Sequence, residues 1–172
     1  LLAILRTTSQ ILTAGIAITA FSLLLYALTF NLRDRVARSF AMIMICVVII
    51  FTAEAIGSTS TQTAVLELWG RVEWVGIVLL PPAYLQFSDA VLATTGRVSR
   101  WRRRWAVRIT YLASVVFLAA LPFPGLFGNL VVDRPPAPYF TISIVTDAFT
   151  AFYLVVMALS WFTFMRALRR TV

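Results

Sequence analysis

Residues 11–30 read ILTAGIAITAFSLLLYALTF, twenty consecutive positions without an acidic or basic side chain. At 1.5 Å rise per residue a helix of that length spans about 30 Å, the thickness of a bilayer's hydrocarbon core. Apolar and polar positions do not alternate along it, so a barrel strand is disfavoured. Inside lipid, an isolated segment satisfies its own backbone hydrogen bonds only as a helix. Comparable apolar stretches follow at Phe40 to Ile56, at about 66–93, at about 105–123 and at Ile142 to Met165. The expected fold class is all-α: a polytopic transmembrane helical bundle, five spans in a single domain over residues 1–172.

Composition points the same way. The chain is 60% hydrophobic and only 13% charged, where a soluble domain carries about a quarter charged residues. All 15 basic residues are arginine, and neither lysine nor histidine occurs. A Schiff-base lysine is therefore excluded, as is a histidine-ligated haem or zinc within this chain. The single cysteine, Cys46, lies in the apolar run MIMICVVII and reads as a small packing residue. No nucleophile–base pair, metal-ligand cluster or phosphate loop is present, so neither catalysis nor a cofactor is expected of these residues. The sequence opens on Leu1 and has no basic region before its first apolar run. That run is expected to be a retained helix, not a signal peptide, in a chain that continues beyond these residues.

The arginines set the expected orientation. Twelve flank one side of the spans: Arg33, Arg35 and Arg38; the six from Arg97 to Arg108; and Arg166, Arg169 and Arg170. Three, Arg6, Arg71 and Arg134, fall to the other. The positive-inside rule places the N-terminus outside and the C-terminus inside, and five crossings satisfy that parity. The densest basic stretch carries Arg97, Arg100, Trp101, Arg102, Arg103, Arg104 and Trp105. It is expected to be a membrane-surface anchor whose partners are anionic lipid headgroups, with Trp101 and Trp105 on one helix face. The plainer reading of the same arginines is a topology determinant that happens to contact lipid. No soluble module accompanies them, so nucleic acid is not an expected partner.

The third stretch, from about Ala64 to Ala93, would reach about 45 Å as one helix, longer than the hydrocarbon core. Pro81-Pro82 falls near its middle and is expected to break the hydrogen-bond ladder and act as a hinge. The loop between the last two spans is rich in Pro and Gly, with a short hairpin expected between Val131-Val132 and Tyr139–Thr141.

Ionisable groups at membrane depth are costly and each needs a reason. Glu54, Glu67, Arg71, Glu73 and Asp147 fall in the outer half, and with Trp74 they form a candidate ligand-binding set under the outer loop. If the second, third and fifth helices are neighbours, the set lines one pocket, and its acids favour a cationic or polar ligand. The plainer reading is an interfacial Glu67–Arg71 pair at i and i+4, with Glu54 reaching water. Gly70 and Gly76 flank Glu73 and permit close helix approach. Asp89, at the inner end of the third helix, is expected to pair with the arginines of the following loop.

The stretch LWGRVEWVGIVLLPPAYLQFSDAVLATTGR, residues 68–97, resembles the third helix of the N-terminal seven-helix sensor region of bacterial histidine kinases and diguanylate cyclases. Trp69, Gly76, Pro81 or Pro82, Phe87, Gly96 and Arg97 carry the resemblance. The surrounding order of spans, basic turn and Pro/Gly-rich loop is similar as well. The resemblance implies a bacterial inner-membrane sensor or signal-input module that acts on a cytoplasmic effector in cis or in trans. A homodimer is compatible with it. The family has seven spans and five are read here, so either two spans and an effector lie beyond Val172 or this is a shorter relative. An accessory subunit of a larger membrane complex is the alternative, based on the aromatics Phe149, Tyr153 and Trp161 to Phe164. A small transporter is a third reading.

Overall fold

The computed structural model describes residues 2–29, 34–60, 62–94, 101–123, 130–131, 139–140 and 143–168. Five helices account for nearly all of them: α1 (Leu2–Thr29), α2 (Arg35–Thr59), α3 (Thr63–Thr94), α4 (Trp101–Ala120) and α5 (Ile144–Leu168). Between α4 and α5, β1 (Leu130–Val131) pairs antiparallel with β2 (Tyr139–Phe140), with Leu130 opposite Phe140 and Val131 opposite Tyr139. β1 begins one residue before the expected Val131 and β2 at the expected Tyr139, while Val132 and Thr141 lie outside the described residues.

Four helical segments are long and apolar enough to cross a membrane: Thr7–Thr29, Arg35–Thr59, Thr63–Thr94 and Ile144–Arg166. The outward faces agree with an apolar solvent. Ile11, Ile18, Tyr26, Leu112, Val116, Leu154 and Trp161 are each more than 60% exposed, a density of bare apolar surface that water would penalise. Hydroxyls on these helices close locally onto their own backbone. Thr19 donates to the Gly15 carbonyl at 2.8 Å, Ser22 to Ile18 at 2.9 Å and Thr150 to Thr146 at 2.8 Å. Lipid therefore meets few unsatisfied polar groups.

α4 does not join those four by length and composition, and its start corrects the sequence reading. The arginines expected in a loop are inside the helix, which begins at Trp101 and not at 105. Arginine is a good helix former, and Trp101 stacks edge-on against Trp105 at 5.6 Å, one turn on. The charges of Arg102–Arg104 and Arg108 then dilute the apolarity of the first two turns. The helix ends at Ala120, with Leu121 to Phe123 forming a turn, ahead of the proline at 124.

α3 is the hub. More than half of its apolar span is buried, 56% against 17–28% for the other three. Its packing on α2 is the most extensive in the molecule. Gly76 makes that approach possible: a Cβ there would stand 2.8 Å from the Cys46 carbonyl oxygen and 2.6 Å from Ile50. Gly76 meets Cys46, Phe40 meets Phe87, and Arg35 meets Asp89, so α2 and α3 run antiparallel. α1 packs antiparallel on α2, with Leu24 and Ala27 against Ala41 at one end and Gln10 near Ser58 at the other. α4 is antiparallel to α3, while α5 is parallel to it, Trp74 meeting Phe149. α4 and α5 touch only lightly.

α3 continues as one helix through Pro81 and Pro82, both fully buried. A proline supplies no N–H, so the carbonyl four residues earlier loses its helical donor. For Pro82 that carbonyl belongs to Val78. Ser114, wholly buried on α4, donates its hydroxyl to the Val78 oxygen at 2.9 Å. The part of the gap left by Pro82 is thereby filled by a side chain of α4, while Pro81 leaves the Ile77 carbonyl without its helical donor.

Candidate functional site

At the end of the bundle where α2 turns into α3, the six candidate ligand residues divide into separate groups. Glu54, on α2, and Glu73, on α3, are close enough for their charges to interact. Both are half-buried. The third member of this group comes from α1: Thr13, buried, donates to Glu54 Oε1 at 3.4 Å. One turn away Gln10 donates to the Ser58 carbonyl at 3.3 Å. Gln10 and Thr13 are i and i+3 and share a face of α1. Composition alone gave no reason to single them out, but two polar side chains at helical spacing at the start of an apolar run were a usable signal.

Arg71 and Glu67, at i and i+4 on α3, form an ion pair. The same guanidinium donates to the Pro122 carbonyl at 3.4 Å, tying α3 to the turn after α4. The pair is partly exposed, and a solvated pair of this kind contributes about 1 kcal/mol or less.

Trp74 faces α5. Its ring lies edge-on to Phe149 at 5.5 Å, and Phe149 is in turn edge-on to Phe117 of α4 at 5.3 Å. Phe152 and Tyr153 complete the cluster, each 6.2 Å from Phe149. Phe149 is only 4% exposed, so it is an internal anchor and not one of the outward aromatics. Trp161 and Phe162 are the exposed ones, at 68% and 56%. Asp147 lies in the first turn of α5, exposed, with Ser143 capping the helix through the Thr146 N–H at 3.3 Å. An acid in that turn complements the helix dipole. α5 packs on α3 and makes no extensive contact with α2, so Asp147 is not drawn to Glu54. Among the described residues no three His, Cys, Asp or Glu side chains gather to hold a metal.

At the opposite end, Asp89 is 2% exposed and accepts from Arg35 Nη2 at 2.9 Å. An arginine from the start of α2 thus closes on Asp89; of the arginines expected to pair with it, Arg97 and Arg100 lie outside the described residues. The antiparallel α2–α3 packing carries Arg35 to that depth. Of the basic anchor set, Arg97 and Arg100 lie outside the described residues, as does the side chain of Arg102. Trp101, Arg104 and Trp105 are exposed, and Arg103 is half-buried. Arg108 stacks over the Trp105 ring at 5.8 Å.

The arrangement thus has two half-buried carboxylates at one end of α3, a buried aspartate paired with a partly exposed arginine at the other, and two prolines between them. Compared with known families, the chain matches the family described as the N-terminal 7TM region of histidine kinase over residues 12–172. No curated protein and no solved structure matches it.

Proposed function

From the premise that the chain belongs to the histidine kinase N-terminal 7TM family, we propose that it is a signal-input module of the bacterial inner membrane. In this reading it detects an extracytoplasmic or intramembrane stimulus and passes it to a cytoplasmic effector. The family is one of membrane-embedded, non-catalytic input regions.

All five helices cross the bilayer in this proposal, with the N-terminus outside and the arginine-rich end inside. α4 is included because it runs antiparallel to α3, and α5 returns parallel to α3. A helix packed along α3 through Tyr111, Ser114 and the turn after it shares the depth of α3. Its basic first turns would lie in the inner interface, against anionic headgroups.

The observation that carries the reading is the side-chain repair of α3. Pro82 removes a rigid main-chain bond at mid-helix and Ser114 replaces it with one that can open without breaking a helix. A ligand or membrane change that alters the Glu54–Glu73 end would reposition the outer half of α3. Its inner half, with Asp89 and the adjoining α5, would follow, and so would any effector attached to α5. Such a switch requires that the stimulus favour one packing over the other.

The test uses the full chain with its effector, in membranes. Replacing Pro81 and Pro82 together by Ala restores the ladder, and effector output should then become insensitive to the stimulus. Unchanged stimulus response in a variant that inserts and folds normally would refute the hinge role.

A further inference from the structure

We infer that the cleft between α4 and α5 at the arginine-rich end is a binding slot for one anionic phospholipid, phosphate on Arg103 and acyl chain between the helices. The cavity there has a volume of about 160 Å³ and is lined by Leu85, Asp89, Arg103, Val107, Leu159 and Thr163, together with Ala106. Three helices, α3, α4 and α5, supply the walls, and α4 and α5 touch only lightly.

Charge selects the occupant. Two ionisable side chains reach the cavity, Asp89 and Arg103. Asp89 is neutralised by Arg35 at 2.9 Å. Arg103 is half-buried and makes no hydrogen bond or ion pair with any described residue. A cation held part-way out of water in an apolar cleft favours a ligand that brings an anion on an apolar body. The walls supply the complementary surface: Leu85 and Val107 line the interior, and Leu159, 49% exposed, stands at the mouth. The Thr163 hydroxyl donates to the Leu159 carbonyl at 2.8 Å, which leaves its oxygen lone pairs able to accept from a glycerol or headgroup hydroxyl.

Depth selects lipid over a soluble amphiphile. Trp101 and Trp105, stacked at 5.6 Å and exposed, mark the interfacial level on the same turns of α4. The headgroup would lie beside Arg103 at that level and the chain would run toward the bilayer centre along Val107 and Leu159. This inference rests on the membrane-spanning orientation proposed above and not on a sensing role. An occupant there touches both α3 and α5, so lipid composition would bias how those helices pack.

The experiment is native mass spectrometry of the purified chain, released from micelles containing equal phosphatidylglycerol and phosphatidylcholine. The unsubstituted chain should retain one phosphatidylglycerol. Arg103→Gln should reduce retention about tenfold, equivalent to about 1.4 kcal/mol, through loss of one charge-assisted contact. Leu159→Trp, at a half-exposed position that tolerates bulk, should fill the mouth and reduce retention while leaving Arg103 in place. Arg38→Gln changes net charge equally at the same end, on α2, and should leave retention intact. Equal losses for Arg38→Gln and Arg103→Gln would overturn the slot in favour of diffuse surface charge. Displacement of the lipid by inorganic phosphate alone would overturn it in favour of a free-anion site. A chain that leaves membranes without detergent would refute the membrane reading itself, a result separable from both.

Discussion

Ser114→Ala is the sharpest probe of how α3 tolerates its prolines. In the native chain the Val78 carbonyl accepts from Ser114 at 2.9 Å in a site with no exposure. Removing the hydroxyl leaves that carbonyl without its α4 donor, and Pro82 has no N–H to restore one. An unsatisfied buried acceptor costs about 1–3 kcal/mol in proteins generally. Interhelical hydrogen bonds measured in membranes average about 0.6 and reach about 1.7 kcal/mol. The expected loss is therefore about 1–2 kcal/mol, toward the upper part of the membrane range, because the alternative backbone donor is missing by sequence. For a chain of this size that corresponds to a fall in Tm of about 2–8 °C. Pro82→Ala returns an N–H to position 82, so Val78 regains its main-chain partner. In that background Ser114→Ala should cost only a few tenths of a kcal/mol. The double-mutant cycle, read by thermal or denaturant unfolding in bicelles, should give a coupling of about 1 kcal/mol and cancels the packing lost with the proline ring. Additive effects of the two substitutions would refute the argument that Ser114 stands in for the proline's missing donor.

Gly76→Ala should separate α2 from α3, because its methyl would sit 2.8 Å from the Cys46 carbonyl, which cannot rotate away. Overpacking of this kind costs about 1–3 kcal/mol, and a Tm within 1 °C of native would count against that contact. Phe149→Ala should destabilise by about 1–3 kcal/mol, below the usual cost of a buried aromatic. Lipid is as apolar as the core, so the transfer part of the loss drops out and only the cavity and ring contacts remain. Differential scanning fluorimetry would check it, and Trp74 emission should redden as its ring partner disappears. Glu73→Gln should raise stability modestly, by about 1 kcal/mol or less, since it removes a charge held partly out of water and, as the smaller part, its repulsion from Glu54. The gain should shrink when Glu54 is already Gln, and undiminished gain in that background would show that the two carboxylates are not coupled.

The parts of this fold that were legible in the sequence are those that lipid dictates. Long apolar stretches with few charges had to become helices, and four of the five carry that signature strongly enough to be recognised by length and composition. α4 shows where the rule blurs. An arginine-rich segment can be a loop or the first turns of a helix, and the Trp101–Trp105 spacing, which decides for helix, reads as interfacial in either case. Pairings between helices were less legible, because a bilayer confines charged groups to the same few layers and leaves many partners at one depth. Asp89 had several arginines within reach by sequence, and its contact with Arg35 follows from the close α2–α3 approach at Gly76. Asp147 and Glu54 share a layer too, yet α5 lies on a different side of α3 from α2. The Ser114–Val78 bond, by contrast, could have been sought directly. Any proline within a buried helix orphans a carbonyl at a known position, and lipid supplies no donor. Pro82 thus requires a neighbouring helix to present a hydroxyl or amide at the level of Val78. Counting back along an antiparallel α4 leads to Ser114, a lone polar residue in the run YLASVVFLAA. Polar side chains in such apolar runs are therefore better read against the backbone of adjacent helices than as candidates for a ligand pocket.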